Sequence, residues 1–311
     1  MVDEGLLERI KLKKKRLDGL RPFPKEALER LRENMLVSLT YNSNSIEGNS
    51  LTLSETRLVI EEGLTIGGKT LREHLEARNH VPALDAIELE VKKRKPFTEA
   101  FILYLHSLVL KGISERYAGK YRDQNTRISG STYVSPSFHE VPALMSNFVT
   151  ELNEKAEKTN PISLAATAHF ELVHVHPFID GNGRTARLFM NLVLLKTGYP
   201  ITIIQRADRK QYYRVLEQAH SGKTGPFENF VARAVERSLN LYLEALESGR
   251  KKDEELISLA KAAEGTPYSQ EYLSLLARKG KLDAVKIGRN WKTSKKAVRE
   301  YCSLKRIGGR E

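Results

Sequence analysis

The sequence predicts a mainly α-helical protein that carries a short β-hairpin and ends in a small helix-turn-helix domain with a β-wing. Two observations lead to this prediction. Along most of the chain, apolar residues recur at the three- and four-residue spacing of helices that bury one face. The stretches 120–135 and 282–293 combine β-branched and aromatic residues with a glycine, a pattern that favours two strands joined by a turn.

Helical spacing and helix-start signals place the individual helices. The segment 25–41 carries Leu and Met at helical intervals, and Thr52 and Glu55 have the spacing of a capping box, which opens a helix. A cluster of glycines at 63, 67 and 68 then interrupts the pattern. Further helices are expected at 71–94, 97–111, 139–155, 162–175, 183–197, 208–220 and 226–247.

Length and charge divide the chain into parts. At 311 residues it is long enough for about two domains, and the polar run 248–253 is a natural linker. We expect an N-terminal helical region at 1–95, a core domain at 96–248 and a C-terminal domain at 249–311. The net charge is +12, and the C-terminal domain carries +8 of it, with 16 Lys and Arg against 8 Asp and Glu. This suits an acidic partner, nucleic acid first, although a solvated basic surface has the same composition.

The sequence also bears on the compartment. No apolar run approaches the length that spans a membrane, and the longest, 188–195, is interrupted by Asn191. No apolar signal core follows the N-terminal residues, and Cys302 is the only cysteine, which agrees with a reducing compartment. We therefore expect a cytoplasmic protein with no membrane partner.

The segment from His176 to Arg187, His-Pro-Phe-Ile-Asp-Gly-Asn-Gly-Arg-Thr-Ala-Arg, has the composition of a polyphosphate site. Gly181-Asn182-Gly183 precede a helix, where small residues allow phosphate to approach free N–H groups. Arg184 and Arg187 lie one helical turn apart and suit phosphate oxygens. Asp180 is a hard oxygen ligand of the kind that Mg²⁺ prefers. His176 accepts a proton near neutral pH, as a general base must.

Two plainer interpretations of this segment stand beside that one. His174, His176 and Asp180, with His169 nearby, have metal-binding side chains, but helical residues two apart point to different faces. Asp-Gly-Asn-Gly is also a common turn sequence. A turn alone does not account for the preceding histidine and the two following arginines.

The segment resembles the signature of the Fic family, His-x-Phe-x-Asp/Glu-Gly-Asn-Gly-Arg-x-x-Arg, with every fixed position present, and the wider resemblance covers about residues 20–245. It implies an adenylyltransferase that moves AMP from ATP to a Ser, Thr or Tyr hydroxyl of a target protein or of itself. His176 would deprotonate the hydroxyl, and Asp180 would hold Mg²⁺. The phosphates would lie against the following glycines and amide and the two arginines, namely Gly181, Asn182, Gly183, Arg184 and Arg187.

Two more segments resemble family features. Ser43-Asn-Ser-Ile-Glu47-Gly resembles the inhibitory motif of the subclass with an N-terminal inhibitory helix, in which Glu47 would take Arg187 from the γ-phosphate. The same glutamate assists AMP removal in some relatives, and the plain alternative is that Glu47 only lies beside a helix end. The hairpin resembles the flap that binds targets by strand addition. The flap residues are Thr126, Arg127, Ile128, Ser129, Gly130, Thr132 and Tyr133.

The C-terminal domain resembles excisionase-like winged helix-turn-helix modules over about residues 254–303. Its elements are expected at 254–263, 269–279, 282–287, 291–293 and 294–302. Candidate phosphate contacts are Arg278, Lys279, Lys281, Lys286, Arg289 and Lys292, and candidate base contacts are Ser269, Gln270 and Ser274. Trp291 is expected in the core of the wing. DNA is the favoured partner, although the same fold also docks proteins.

Two rival functions remain at this point. The same scaffold can transfer UMP, phosphocholine or a bare phosphate, although the intact motif and Glu47 favour AMP. Alternatively, a DNA-binding regulator can use such a domain as a nucleotide sensor without catalysis. A sensor needs no general base, so the presence of His176 argues against it. The expected partners are thus ATP, a target protein, DNA and a second copy in a homodimer.

Overall fold

The structure is a computed structural model that describes residues 2–128, 130–254, 256–287 and 290–307, and their side chains except at 248–254, 285, 287 and 303–307. The described residues are mainly helical, as predicted, and form two units, Met1–Leu243 and Glu244–Glu311. The helices up to α10 are α1 (Glu4–Asp18), α2 (Lys25–Ile46), α3 (Leu53–Glu61), α4 (Leu71–Lys93), α5 (Glu99–Leu110), α6 (Val141–Lys155), α7 (Pro161–Val175), α8 (Asn182–Lys196), α9 (Arg209–His220) and α10 (Gly225–Glu254).

Helix α8 lies at the centre of the first unit and packs against α4, α5 and α7. Every residue from Arg184 to Leu194 is buried, as expected for a helix that is apolar on most of its surface. Helix α7 is also buried over most of its length. The loop 176–181 that joins these two helices is therefore fixed at both ends by the core. Among the described residues, no helix has both the length and the apolar composition to cross a membrane.

The N-terminal helices pack directly on this core. The capping box of Thr52 and Glu55 is formed as predicted, and Thr70 and Glu73 form a second one at the start of α4. Helix α4 contacts α2, α5 and α8. The expected domain boundary at residue 95 therefore falls inside one compact unit.

Helix α1 lies in the expected N-terminal helical region, but no individual helix was predicted at these residues. Its apolar residues are few, and a run of lysines and arginines hides their spacing. Leu6, Ile10 and Leu17 are nevertheless buried, and Asp3 caps the first turn by accepting a hydrogen bond from the Leu6 N–H. In the sequence, the Asp3 cap and the four-residue interval between Leu6 and Ile10 are the signals that could have identified this helix.

The stretch predicted as a β-hairpin has a turn but no strand among its described residues, which exclude Ser129. Ser131 N–H donates to the Ile128 carbonyl, and Gly130 has a positive φ of 77°. The two arms are joined through side chains: Ser135 Oγ donates to the Thr126 carbonyl at 3.2 Å. Side-chain bonds thus replace the backbone ladder that strand propensity had suggested.

The second unit is a small α/β assembly. It contains β1 (Ile257–Ser258), α11 (Leu259–Ala263), α12 (Gln270–Arg278), β2 (Ala284–Ile287), β3 (Asn290–Thr293) and α13 (Lys295–Ile307). The three strands are antiparallel in the order β1-β3-β2. Trp291 packs against the apolar core of this unit, which confirms its expected place. The expected linker 248–253 is instead part of α10, because its Arg and Lys residues are good helix formers and no proline interrupts them.

Candidate active site

The loop between α7 and α8 is closed by one asparagine side chain. Asn182 Oδ1 accepts a hydrogen bond from the Phe178 N–H at 2.9 Å, and Asn182 Nδ2 donates to the Phe178 carbonyl at 2.8 Å. Both ends of the amide are used in this way, and Asn182 is buried. The Asn182 side chain, predicted to bind phosphate, therefore shapes the loop.

His106 on α5 supports the same loop and was missed from the sequence. Its Nδ1 accepts a hydrogen bond from the Gly119 N–H at 3.1 Å, so its Nε2–H donates to the Asp180 carbonyl at 3.0 Å. The ring stacks on Phe178 with centroids 3.6 Å apart. Burial lowers the pKa of His106 to about 4, which keeps this neutral tautomer in place. A single histidine in an apolar helix carries no sequence signal of this role.

His176 ends α7 in a left-handed conformation, with φ 49° and ψ 57°. The buried Arg122 guanidinium holds this residue through its Nε, which donates to the His176 carbonyl at 2.9 Å. Burial lowers the pKa of His176 to about 4, although the Val173 carbonyl opposes the shift. The imidazole is therefore neutral at pH 7 and able to accept a proton. Arg122 is a second residue that the sequence did not reveal.

Asp180 lies at the open side of the loop, with its side chain 41% exposed. Its Oδ1 accepts hydrogen bonds from the Gly181 N–H at 2.6 Å and from Arg184 Nη2 at 3.1 Å. Its Oδ2 accepts from Arg72 Nη2. Burial alone would raise the pKa of Asp180, but Arg184, the Gly181 N–H and Arg72 hold it below its usual range. The carboxylate is thus ionised at neutral pH, as a cation ligand must be.

The two arginines of the motif are both buried and both face carboxylates. Arg184 Nη1 lies 3.0 Å from Glu76 Oε1, and Arg187 Nη2 donates to Glu47 Oε1 at 2.7 Å. Each guanidinium side chain is only 2% exposed. Because a buried charge needs a partner, these carboxylates fill places that an anionic ligand could also take.

Arg187 is held by the end of α2 in more than one way. Its Nε donates to Ser43 Oγ at 2.9 Å, and its Nη2 donates to the Ser43 carbonyl at 2.9 Å. Its Nη1 lies 3.4 Å from Tyr212 Oη. The structure thus brings Ser43, Glu47 and Arg187 together, although Glu47 and Arg187 are 140 positions apart in the sequence.

The described flap residues contact α7 and α9. Ser131 Oγ donates to Glu217 Oε1, and Thr132 Oγ1 donates to Glu217 Oε2 at 3.0 Å. The Tyr133 ring stacks on His220 with centroids 3.9 Å apart, and its hydroxyl lies 3.0 Å from His174 Nε2. These contacts place the predicted target-binding segment beside the motif.

The histidines that suggested a transition-metal site have separate partners. His169 Nε2 lies 3.1 Å from Tyr212 Oη. His174 faces Tyr133 of the flap and His220. The Nδ1 atoms of His174 and His220 are 3.1 Å apart. Within the part of the chain that the structure describes, no group of three or more His, Cys, Asp or Glu side chains is arranged to hold a metal ion.

Residues 96–194 match the Fic/DOC family. Over 218 residues the chain is 38% identical to a protein adenylyltransferase Fic of Drosophila grimshawi, and the match covers 70% of this chain and 45% of the relative. The chain thus spans about half the length of the curated relatives that it matches.

Two solved structures have the same fold. Fic-1 from C. elegans is 33% identical with a TM-score of 0.71, over 78% of this chain and 73% of the solved chain. A Fic domain containing signaling protein from Bacteroides thetaiotaomicron is 31% identical with a TM-score of 0.73, over 77% of this chain and 97% of the solved chain. The sequence identity to these structures, the share of each chain that is covered and the motif at 176–187 all indicate the same family. This chain belongs to the Fic/DOC family.

Proposed function

We propose that this protein transfers AMP from ATP to a hydroxyl group of a protein substrate. The observation that carries the proposal is the arrangement, on one loop and the first turns of α8, of a neutral His176, an ionised Asp180 and two buried arginines. The Drosophila grimshawi relative, named a protein adenylyltransferase, supports the same chemistry. A general base, a cation ligand and fixed positive charge are what nucleotidyl transfer requires.

In this reaction the hydroxyl oxygen of the target forms a bond to the α-phosphorus of ATP. The bond from that phosphorus to the bridging oxygen breaks, and pyrophosphate leaves with the electron pair. His176 takes the proton of the attacking hydroxyl. The Arg184 and Arg187 guanidinium groups stabilise the charge that develops on the departing phosphates.

Mg²⁺ fits this site as an ion that the protein and the nucleotide would hold together. Mg²⁺ is commonly held by one or two carboxylates together with phosphate oxygens and water, so a single Asp180 suffices on the protein side. The ion would supply charge neutralisation on the phosphates. The Gly181 N–H and Arg184 orient the Asp180 carboxylate through Oδ1, so Oδ2, which accepts from Arg72 in this structure, would be the oxygen that holds the cation.

Glu47 restrains this activity in our proposal. Its carboxylate occupies the Arg187 guanidinium that a γ-phosphate needs, and its negative charge repels that phosphate. The end of α2 is held in this place from outside the motif, because Arg209 Nε donates to the Ile46 carbonyl at 2.8 Å and Tyr213 Oη does so at 3.3 Å. Removal of the carboxylate should therefore free Arg187 for ATP.

The test uses Mg²⁺ and ATP that is labelled at either the α or the γ position. Glu47→Gly should retain the α label on protein, the parent protein should retain little, and Glu47→Gly with His176→Ala should retain none. Retention of the γ label would indicate phosphoryl transfer instead. Absence of α label from folded Glu47→Gly protein, with and without added cell protein as substrate, would contradict the proposal.

Glu47 also has a second candidate role, the orientation of a water molecule that removes AMP from a modified hydroxyl. Its side chain is 32% exposed, so water reaches the carboxylate. A purified AMP-modified target should lose AMP with the parent protein and keep it with Glu47→Gln. Equal loss with both proteins would exclude this role.

DNA binding by the C-terminal unit is a second candidate function. Its turn and strand region presents exposed basic side chains, namely Arg278, Lys279, Lys281 and Lys286. Arg289 lies outside the described residues, and the Ser269 hydroxyl caps α12 by accepting from the Tyr272 N–H, so it is less available to a base. A gel shift at low salt should weaken as salt rises and should weaken further when the four basic residues are replaced by Ala. No shift at low salt would contradict this function.

A further inference from the structure

Arg72, at the start of α4, makes a contact that the sequence motif does not include. Its Nη2 donates to Asp180 Oδ2, and its Nε donates to Glu76 Oε1 at 3.1 Å. The side chain is 56% exposed, so it lies at the open side of the site, unlike the buried arginines of the motif. Its partner on the loop is 108 residues away in the sequence.

The two Asp180 oxygens have different partners. Oδ1 is bonded to the Gly181 N–H and to Arg184, and both of these groups belong to the loop and α8. Oδ2 is bonded to Arg72. Oδ2 is therefore the oxygen that remains for a cation, and in this structure a guanidinium group takes it.

Glu76 fixes the direction of Arg72. This carboxylate is buried, with its Oε1 shared by Arg72 and Arg184 and its Oε2 accepting from Asn49 Nδ2 at 3.0 Å. Because both oxygens have partners, Glu76 is a firm support for the Arg72 Nε. The Nη2 of the same guanidinium group is then directed toward Asp180.

The position of Arg72 in its helix also indicates a role outside the helix. It is the second residue of α4, where the positive end of the helix dipole disfavours a cation. The capping box of Thr70 and Glu73 satisfies the helix start without any help from it. The contacts that offset this unfavourable position are the carboxylates of Glu76 and Asp180.

We propose that Arg72 is a positioning residue that competes with the divalent cation for Asp180 Oδ2 and so sets how much the cation strengthens nucleotide binding. The proposal rests on the proposed function, because it takes Asp180 as the cation ligand. A cation on Oδ2 repels the guanidinium, so Arg72 must leave Asp180 when a metal-bound nucleotide enters. This restraint acts on the metal side of the site, whereas Glu47 acts on Arg187.

The experiment measures the dissociation constant of ADP with Mg²⁺ and with EDTA, by calorimetry, in Glu47→Gly protein. The ratio of the two constants, EDTA over Mg²⁺, reports the help that the cation gives. Added Arg72→Ala should raise this ratio by about twofold to fivefold, the effect of removing a half-exposed ion pair that competes with the metal. Added Arg72→Gln, which keeps an amide for Glu76, should raise it in the same direction.

Two controls fix the interpretation. Arg57→Ala removes a half-exposed arginine that pairs with Glu61 on α3, and it should leave the ratio unchanged. Asp180→Ala should bring the ratio to about 1, because the cation then has no protein ligand.

The outcomes are distinct. A parent ratio above 1 that neither Arg72 variant raises would overturn this proposal and leave the proposed function intact. A ratio that falls in both variants would also overturn it, since Arg72 would then assist the metal-bound phosphates. A ratio of about 1 in the Glu47→Gly parent and in both Arg72 variants would contradict the metal assignment of the proposed function itself and overturn both.

Discussion

Gly183 leaves a space that the Glu47 carboxylate fills. A Cβ at this position would lie 2.2 Å from Glu47 Oε1 and 3.0 Å from Arg187 Nη1. The requirement for glycine here is one of space, because the residue is helical and needs no positive φ. In the proposed transfer reaction the same space would be available to phosphate oxygens, so one glycine would serve both the restrained and the active arrangement.

Gly183→Ala should therefore lose its effect on stability when Glu47 is already absent. In the parent protein, the new methyl group displaces the carboxylate and leaves the buried Arg187 with fewer partners. A double-mutant cycle of Gly183→Ala with Glu47→Ala should give a coupling energy of about 1–3 kcal/mol, measured by denaturant unfolding. Gly67→Ala, at a glycine with no atom within 4 Å of the added methyl group, is the matched control. Additive effects of the two substitutions would contradict this view of the site.

At the scale of elements, the flap depends on its contacts with α9. Glu217 accepts hydrogen bonds from Ser131 and Thr132, and these bonds hold a segment that has no strand pairing among its described residues. Glu217→Ala should make the amides of 126–136 exchange about tenfold faster with solvent, as expected when hydrogen bonds to a charged group are lost. Mass spectrometry of the exchanged peptides gives the measurement. Gln218→Ala, one residue further along α9 and exposed, should leave the exchange rates unchanged. Equal protection in both variants would show that Glu217 does not hold the flap.

Elements and site residues with local sequence signals were predicted, whereas those that depend on distant contacts were missed. Helix α7 was expected at 162–175 and is found at Pro161–Val175, because its apolar spacing and the following proline are local signals. The motif at 176–187 was equally predictable, since its residues are consecutive in the sequence. Arg72, His106 and Arg122 were missed because each acts through a contact with a distant part of the chain. Such contacts depend on how helices pack, and that packing leaves no pattern in the spacing of neighbouring residues.

At the scale of the whole molecule, several histidines are kept neutral inside the first unit. Burial lowers the pKa of His80 and His169 to about 3 and that of His106 and His176 to about 4, from an ordinary value of 6.5. The unfolded chain binds protons at these residues below pH 6.5, whereas the folded chain does not until the pH is near 4. The stability that these histidines contribute is therefore fully present above about pH 6.5 and is lost as the pH falls toward 4.

The free energy of unfolding should fall by several kcal/mol between pH 7.5 and pH 5. Each fully buried histidine contributes about 2 kcal/mol over this range, since one pKa unit corresponds to about 1.4 kcal/mol. Denaturant unfolding at both pH values gives the measurement, and calorimetry in two buffers gives the protons taken up on unfolding at pH 5. Carboxylates affect stability at lower pH than the histidines do. Hydrogen bonds from Ser50 and the Thr70 N–H lower the pKa of Glu73 from 4.5 to about 2, so the stability that Glu73 contributes is lost only below about pH 4.5. Unchanged stability at pH 5, with no proton uptake, would mean that these histidines titrate in the folded protein near their ordinary pKa of 6.5, and would contradict the lowering of their pKa by burial.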